Sequence, residues 1–537
     1  MGVRETRGAT LRPFSSITLE LPNSGAYARF VVLLKAGARM NWTRSAGLYV
    51  LTGCVFAWAY GNDSFAGVPA NAAEMPTLAA CGALAVAHAV VSSDGFTGEQ
   101  FDWRDASCLP RTALMVYDDR TDPAGHKGGY LRSYDYQLSD ASTRHVVGSL
   151  AAHPGWGYTA NTWDTNFTVG MNSLGTWQLL FVGRHHAILR FVRTISIGGP
   201  VQTTVDWFFA TGKDHPVWAV TFDASAAQAN VILADTRSPY GDLAWDGGVN
   251  ATVDGVGWGD HYKFRTTTTP ESFQSGWDYT TPNIVPYVQM WANAVDAEMG
   301  AVQTQTMNQH DAGRGSFYSA WGTAQAAGPM PPDYNWTFQL NQYELPFVST
   351  SKRMAWGSNY GAIGQNSYYA YGDSTQLDGY PYQSYAVYMV LGQHSSNATQ
   401  AQVTQVERQQ GLALTASVGS VKTNGPAGVA RPDSAIWAPA GYNPAYGTFE
   451  LVADANTVHV TLAPNFGVVR NPIVVIDNFT APAARIEYDG NLAIADVDYF
   501  ASLDPVNQRL WLTLRRDVAS ALALSVSSDR IFSDGFD

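Results

Sequence analysis

The chain has 537 residues, 32 Lys and Arg against 45 Asp and Glu, and a formal net charge of −13. Charged residues make up 14% of it and aromatic residues 12%. That much aromatic surface with that little charge excludes a disordered chain. The acidic balance excludes a phosphate-neutralising nucleic-acid binder, and the composition excludes a coiled coil. A large β-protein built for solvent outside the cytoplasm fits what is left.

Two apolar stretches mark the first ninety residues. Ala46–Tyr60 follows Arg39 and Arg44; Leu78–Val91 ends in Ala87-His88-Ala89, an A-x-A pattern met at once by Ser92-Ser93-Asp94-Gly95. Neither reaches the roughly 18 apolar residues of a membrane span. The second meets polar sequence as a secretory signal meets a mature N-terminus. Residues 1–89 are therefore read as a leader cleaved after Ala89, the missing basic flank fitting a start codon set too early. Packing of 46–91 as ordinary helix is one alternative, and lipidation at Leu51-Thr52-Gly53-Cys54 or Leu78-Ala79-Ala80-Cys81 is another. Cleavage leaves Cys108 as the one cysteine of three, which predicts no intrachain disulfide and a small buried thiol.

Strand signals fill 90–396. Trp177–Leu180, Ala187–Val192, Val201–Phe209 and Val217–Phe222 are short apolar and β-branched runs, the last two separated by Thr211-Gly212-Lys213-Asp214-His215-Pro216. Turns rich in Gly and Asp follow, among them Asp246-Gly247-Gly248 and Asp254-Gly255. Some 300 residues of this rhythm predict a large double-sheet sandwich. Ala398–Gln410 has good helix formers and neither Gly nor Pro, so 397–425 reads as a helical connector. Thr448–Val452, Val458–Leu462, Pro472–Phe479, Arg485–Tyr488 and Leu510–Leu514 read as strands of a small sandwich over 426–526, with Asp489-Gly490 as a hairpin turn. Residues 527–537 form a tail.

The sequence holds no phosphate loop, dinucleotide fingerprint, H-E-x-x-H, paired C-x-x-C or G-x-S-x-G elbow. The chemistry-bearing candidates are less conventional. Asp296 and Glu298 lie two apart; on an extended backbone both point to one face, at the scale on which paired carboxylates share acid and base work. Their mutual charge, near Trp291 and Met299, would raise one of the two pKa values. Both carboxylates binding turn amides is the alternative. Gln303 and Gln305, followed by Gln309, His310 and Asp311, offer amides suited to hydroxyl recognition. His185 and His186 point to opposite faces of a strand, so one of them, taken as His185, is a candidate proton shuttle. His310 is a second candidate for catalysis. Arg237, Trp245, Asp246, Trp258 and Trp277 belong to a region in which Trp sits beside Asp repeatedly, as in Trp245-Asp246 and Trp277-Asp278. An aromatic plane for a sugar's C–H face and carboxylates for its hydroxyls are thereby both supplied. Tyr368–Asp373 could provide a lyase with a proton-transfer tyrosine.

The terminal Asp529–Asp537 (DRIFSDGFD) resembles the Phe-Asp-Gly-Phe-type tail of exported proteins from Xanthomonas- and Lysobacter-like bacteria. The composition and long first β region resemble the β-supersandwich domains of carbohydrate-active proteins, galactose-mutarotase-like enzymes among them. The resemblance is at fold level, and no motif of one family is matched. Together these readings predict an all-β protein, a large supersandwich followed by a small C-terminal β-sandwich, secreted and monomeric. The expected partner is a neutral or weakly charged polysaccharide or oligosaccharide, with no nucleic acid and no membrane span. The expected activity is glycoside hydrolysis by the carboxylate pair, with no organic cofactor and no metal. A polysaccharide lyase and a non-catalytic carbohydrate-binding protein are the alternatives. A lyase acting on polyuronates is opposed by the acidic chain, unless a cluster such as Arg184, Arg190 and Arg193 overrides it.

Overall fold

The computed structural model describes residues 80–91, 96–116, 129–147, 155–161, 175–196, 200–223, 254–261, 287–304, 382–422, 440–482 and 484–528, with short strands elsewhere. The chain divides into two units, Met1–Thr77 and Leu78–Asp537. In the first, Ser16–Glu20 and Tyr27–Val31 pair as an antiparallel hairpin.

The second unit is almost entirely β, as expected. Its larger part is a double-sheet supersandwich. One sheet has nine antiparallel strands in the spatial order Phe264–Thr267, Gly255–Gly259, Tyr287–Ala292, Ala297–Gln303, Tyr382–Gly392, Val217–Asp223, Pro200–Ala210, His186–Ser196 and Gly175–Val182. The facing sheet has eight, running from Thr236–Gly241 through Trp156–Asn161, Tyr130–Gln137, Pro110–Val116 and Phe96–Arg104 to the edge strand Ala85–Val91. Side chains alternate across each strand, so Trp207 and Phe209 face inward while Phe208 and Ala210 face out. The inward set meets the other sheet directly: Phe209 stacks on Phe101 at 4.4 Å and Trp207 meets Trp156 edge-on at 6.0 Å.

The outer face of the nine-stranded sheet is covered as well. Phe208, Val217, Tyr388 and Val390 pack there with Val403 and Val406 of the helix Ala398–Gln410 and with Tyr446 and Trp511 of the C-terminal sandwich. A sheet buried on both faces needs apolar residues at nearly every position. That is why Ala297–Gln303 is buried throughout and Val201–Phe209 lacks a clean alternation.

The small sandwich has a five-stranded and a six-stranded sheet with their own core, including Phe449, Val460, Ile476, Leu512 and Leu524. Asp489 and Gly490 both take positive φ, 50° and 80°, in the turn between Ala484–Tyr488 and Asn491–Leu492. That is the backbone of a type I′ hairpin turn. Its first strand, Leu412–Val418, lies inside the stretch read as helical connector; the helix ends at Gln410 and the sandwich begins two residues later.

One expectation about the N-terminal region, the lone Cys108 thiol, needs correction, and the expected cleavage point falls inside a strand. Ala85–Val91, read as the end of a cleaved leader, is a strand paired with Phe96–Arg104 from Ala85↔Asp102 to Val91↔Phe96. Cleavage after Ala89 would remove most of it. Cys108 is not an isolated thiol either: it is disulfide-bonded to Cys81, with Cα atoms 5.4 Å apart. A largely exposed edge strand made mostly of Ala and Val has the composition of a signal-peptide apolar segment. No helix among the described residues is long and apolar enough to cross a membrane.

Candidate functional site

The carboxylate pair is not arranged for catalysis. Asp296 does not continue a strand: it closes the 3₁₀ turn Asn293–Val295 in the left-handed region, φ 45°. The alternation that would put it on one face with Glu298 is therefore broken. Its carboxylate accepts from the Ser395 amide at 2.8 Å and the Ser395 hydroxyl at 2.7 Å. Burial acts to raise its pKa, but the Ser395 and Gln393 hydrogen bonds win and hold it below the ordinary value. That is the opposite of a general acid. Glu298 is fully buried. It accepts from the Thr399 amide at 2.5 Å, in the first turn of the helix Ala398–Gln410, and lies 2.9 Å from His394 Nδ1. An acidic oxygen at a helix start satisfies an otherwise unpaired amide and favours the helix dipole. Both carboxylates fasten the 393–399 segment to the sheet.

Other expected residues also prove structural. His185 is fully buried where the two sandwiches meet, with Nε2 2.8 Å from Asp496 Oδ1 and Nδ1 3.2 Å from the Thr211 hydroxyl. These contacts fasten the supersandwich to the small sandwich. Trp245 is 1% exposed and part of the supersandwich core, so it offers no sugar platform. Gln303 is 1% exposed and sits on the inward face of its strand, beside Val387, so it is shielded from solvent hydroxyls. Arg190 is committed to a bidentate pair with Asp206 at 2.7 Å, and Arg184 pairs with Asp496. Arg237, Trp258 and Trp277 lie in the strands Thr236–Gly241, Gly255–Gly259 and Trp277–Asp278, but their side chains lie outside the described residues. So do Asp246, Gln305, His310 and the Tyr368–Asp373 run.

The geometry brings together a different set. A cleft of about 450 Å³ opens where the supersandwich, the helix Ala398–Gln410 and the small sandwich meet. One wall is the turn after Pro200–Ala210, carrying Lys213, Asp214 and His215 in succession; facing it are Asp105 and Arg111, with Arg470 and Asn471 from the small sandwich. The turn is fixed from its own domain: the Gly212 amide donates to Arg104 O at 2.8 Å, Trp103 Nε1 donates to Lys213 O at 3.0 Å, and Tyr134 donates to Asp214 O at 3.2 Å.

Charge is distributed unevenly in this cleft. Arg111 is buried and donates to Asp105 at 3.1 Å and to Leu391 O at 3.0 Å. Burial raises the Asp105 pKa against the pull of Arg111. Burial acts on Asp214 in the same sense, but Arg111 and the Ala106 amide, 3.0 Å from Oδ1, outweigh it and hold that carboxyl below its usual value. The two carboxylates are thus driven apart. Burial, aided by Arg111, lowers His215 to about 3, so its ring is neutral, and its buried Nδ1 has no hydrogen-bond partner among the described residues. Burial lowers Lys213 to about 8, opposed by Asp214. An amine that titrates near neutrality beside an anionic carboxylate can hold or move a proton. Among the described residues no cluster of His, Cys, Asp and Glu could hold a metal ion.

Sequence reasoning missed this set. Along the chain Thr211–Pro216 reads only as the turn between two strands. The signal was there: three consecutive titratable side chains between two runs buried on both faces, one of them among only six lysines in the chain.

No protein-family model matches the chain, and no curated protein matches it. Among solved structures, the chain is similar to a galactose 1-epimerase from Lactobacillus acidophilus NCFM, at 7% identity and a TM-score of 0.30, over 58% of this chain and 98% of that one.

Proposed function

We propose that the chain is an exported glycan-cleaving enzyme acting on a neutral or weakly charged polysaccharide, with its site in the cleft at Lys213–His215. The observation that carries this is that Lys213, Asp214 and His215 line one cavity, with His215 Nδ1 buried and without a hydrogen-bond partner among the described residues. Its volume lies in the range of about 300–1,000 Å³ typical of small-molecule sites. Gln137, Gln393, Gln402 and Gln405 also line it, and amides both donate to and accept from sugar hydroxyls. In hydrolysis the Lys213 ammonium gives its proton to the leaving oxygen while the Asp214 carboxylate activates water. Elimination is the second reading, favoured by Arg470 at the rim and by Lys213, whose neutral amine would take the proton next to a uronate carboxylate. Export is supported by the Cys81–Cys108 disulfide, since such bonds persist in oxidising compartments.

The test is a panel of polysaccharides assayed for new reducing ends and for the ultraviolet absorbance of unsaturated uronates. Reducing ends alone mean hydrolysis, and both signals mean elimination. Lys213→Met and Asp214→Asn each lower the rate by about 10²-fold or more, the scale of a lost proton-transfer group. Full activity in both variants would refute this site.

A further inference from the structure

The small sandwich is joined to the supersandwich beside the cleft, and its contacts with the Lys213 turn are specific. Asn471 is 8% exposed and takes φ 43°, in the left-handed region that Asn tolerates better than most residues. Its own amide donates to Arg516 O at 3.1 Å, which fixes it to its domain. From there it makes a two-way clamp. Its side-chain Nδ2 donates to Gly212 O at 3.0 Å, and its main-chain oxygen accepts from Lys213 Nζ at 3.0 Å. Arg470 O lies 3.5 Å from the same nitrogen. The turn is pressed against this domain with no slack: a Cβ at Gly212 would come 2.8 Å from the Phe500 ring, and Gly212 itself has φ 84°.

We infer that Asn471 is a positioning residue of the small sandwich that holds the Lys213 amine in the cleft, so that the C-terminal domain completes the site. The inference rests on the functional reading given above. Its physical content is simple. A lysine side chain has four rotatable methylenes and strong hydration, so left alone it extends into water and behaves as an ordinary amine. Two carbonyl oxygens from another domain keep this one folded over the turn. The charges facing it are Asp214 and His215 on its own turn, Asp105 and Arg111 on the facing sheet, and Arg470 on the small sandwich. Asn471→Gly alters none of these groups chemically, so a change in Lys213 reports its own position.

Asn471→Gly is the informative variant. Glycine accepts positive φ, so the backbone conformation is kept while the bond to Gly212 O is lost; the Lys213 turn is then unpinned from the small sandwich, and Nζ is released from Asn471 O. Tyr446→Phe is the control. It removes a different inter-domain hydrogen bond, from the Tyr446 hydroxyl to Asp206 at 2.7 Å, without touching the turn. The measurement is trace acetylation of the full chain with acetic anhydride across pH, each lysine quantified by peptide mass spectrometry. It needs no glycan. In the parent protein Lys213 titrates near 8. In Asn471→Gly its midpoint rises by about one unit or more, toward the ordinary lysine value of about 10.4, while Tyr446→Phe leaves it in place. Asn471→Asp, isosteric and unable to donate to Gly212 O, raises it further because it adds a negative charge. An unmoved midpoint in Asn471→Gly, or an equal rise in Tyr446→Phe, overturns the inference whatever the glycan assay shows. A rise specific to the Asn471 variants, in a protein whose glycan activity does not follow it, leaves the positioning intact and removes the functional reading instead.

Discussion

Replacing Glu298 separates a structural carboxylate from a catalytic one. It is fully buried and makes two hydrogen bonds, to the Thr399 amide at 2.5 Å and to His394 Nδ1 at 2.9 Å. In Glu298→Ala the helix loses its N-terminal acceptor, about 1 kcal/mol. The charge-assisted bond to His394 is worth a further 1.5–3 kcal/mol or so, giving about 2.5–4 kcal/mol together. Glu298→Gln keeps an acceptor for Thr399 and places an amide donor against the imidazole nitrogen, so it loses only charge assistance and the dipole interaction, about 1–2 kcal/mol. At an unfolding entropy of about 2.1 cal/mol/K per residue, 1 kcal/mol shifts the melting midpoint of a unit as long as Leu78–Asp537 by about 1 °C. Thermal unfolding should therefore rank parent, Gln and Ala in steps of about 1–2 °C, while glycan activity per folded molecule stays unchanged in the Gln variant. A Gln variant that melts with the parent but has lost activity would show that Glu298 is catalytic and that this reasoning is wrong.

Two further outcomes follow from the junctions. His185 and His186 are both lowered by burial, His186 well below its ordinary value with no carboxylate against it; its ring nitrogens face the Ser502 and Thr513 hydroxyls. Folded pKa values below the unfolded value of about 6.5 mean that stability is full above that pH and is lost as pH falls beneath it. Asp496 moderates this at His185 and Arg184 works the other way. The limiting slope for two protons is about 2.7 kcal/mol per pH unit, so His186→Asn should flatten the acid limb of a melting-temperature profile. A profile already flat in the parent from about pH 7 to about pH 5 would refute the assignment. The disulfide joins residues 27 apart, for which loop-closure entropy gives about 3.5 kcal/mol. Cys108→Ser should lower the melting midpoint accordingly, and three titratable thiols in the native, non-reduced full chain, in place of the single one of Cys54, would contradict the bond.

The architecture was legible because it is written locally. Val201–Phe209, Leu510–Leu514 and the Asp489-Gly490 turn carry strand length, composition and turn chemistry within a few residues of one another. The site was not, because its determinants are distant. Glu298 takes its role from residues 96 and 101 positions away, and Lys213 from one 258 positions away. The spacing of Asp296 and Glu298 suggested a shared face only on the assumption of extended backbone, and one left-handed residue removed it. His185 and Trp245 were sound as residue types for chemistry, but burial against a second domain or sheet decides their role, and no window of sequence contains that partner.

The strand Tyr382–Gly392 lies between Ala297–Gln303 and Val217–Asp223 in the middle of the nine-stranded sheet. It is the last strand of that sheet to be synthesised. Until it leaves the ribosome the sheet is two separate ribbons, each ending in an unpaired row of amides and carbonyls at what becomes the centre of the protein. Exposed strand edges of this kind are templates for aggregation, and non-local pairing is slow to form. The chain therefore has a period during its birth in which most of its apolar sequence exists and the keystone does not. Premature termination anywhere before residue 382 should yield insoluble material rather than a smaller working domain.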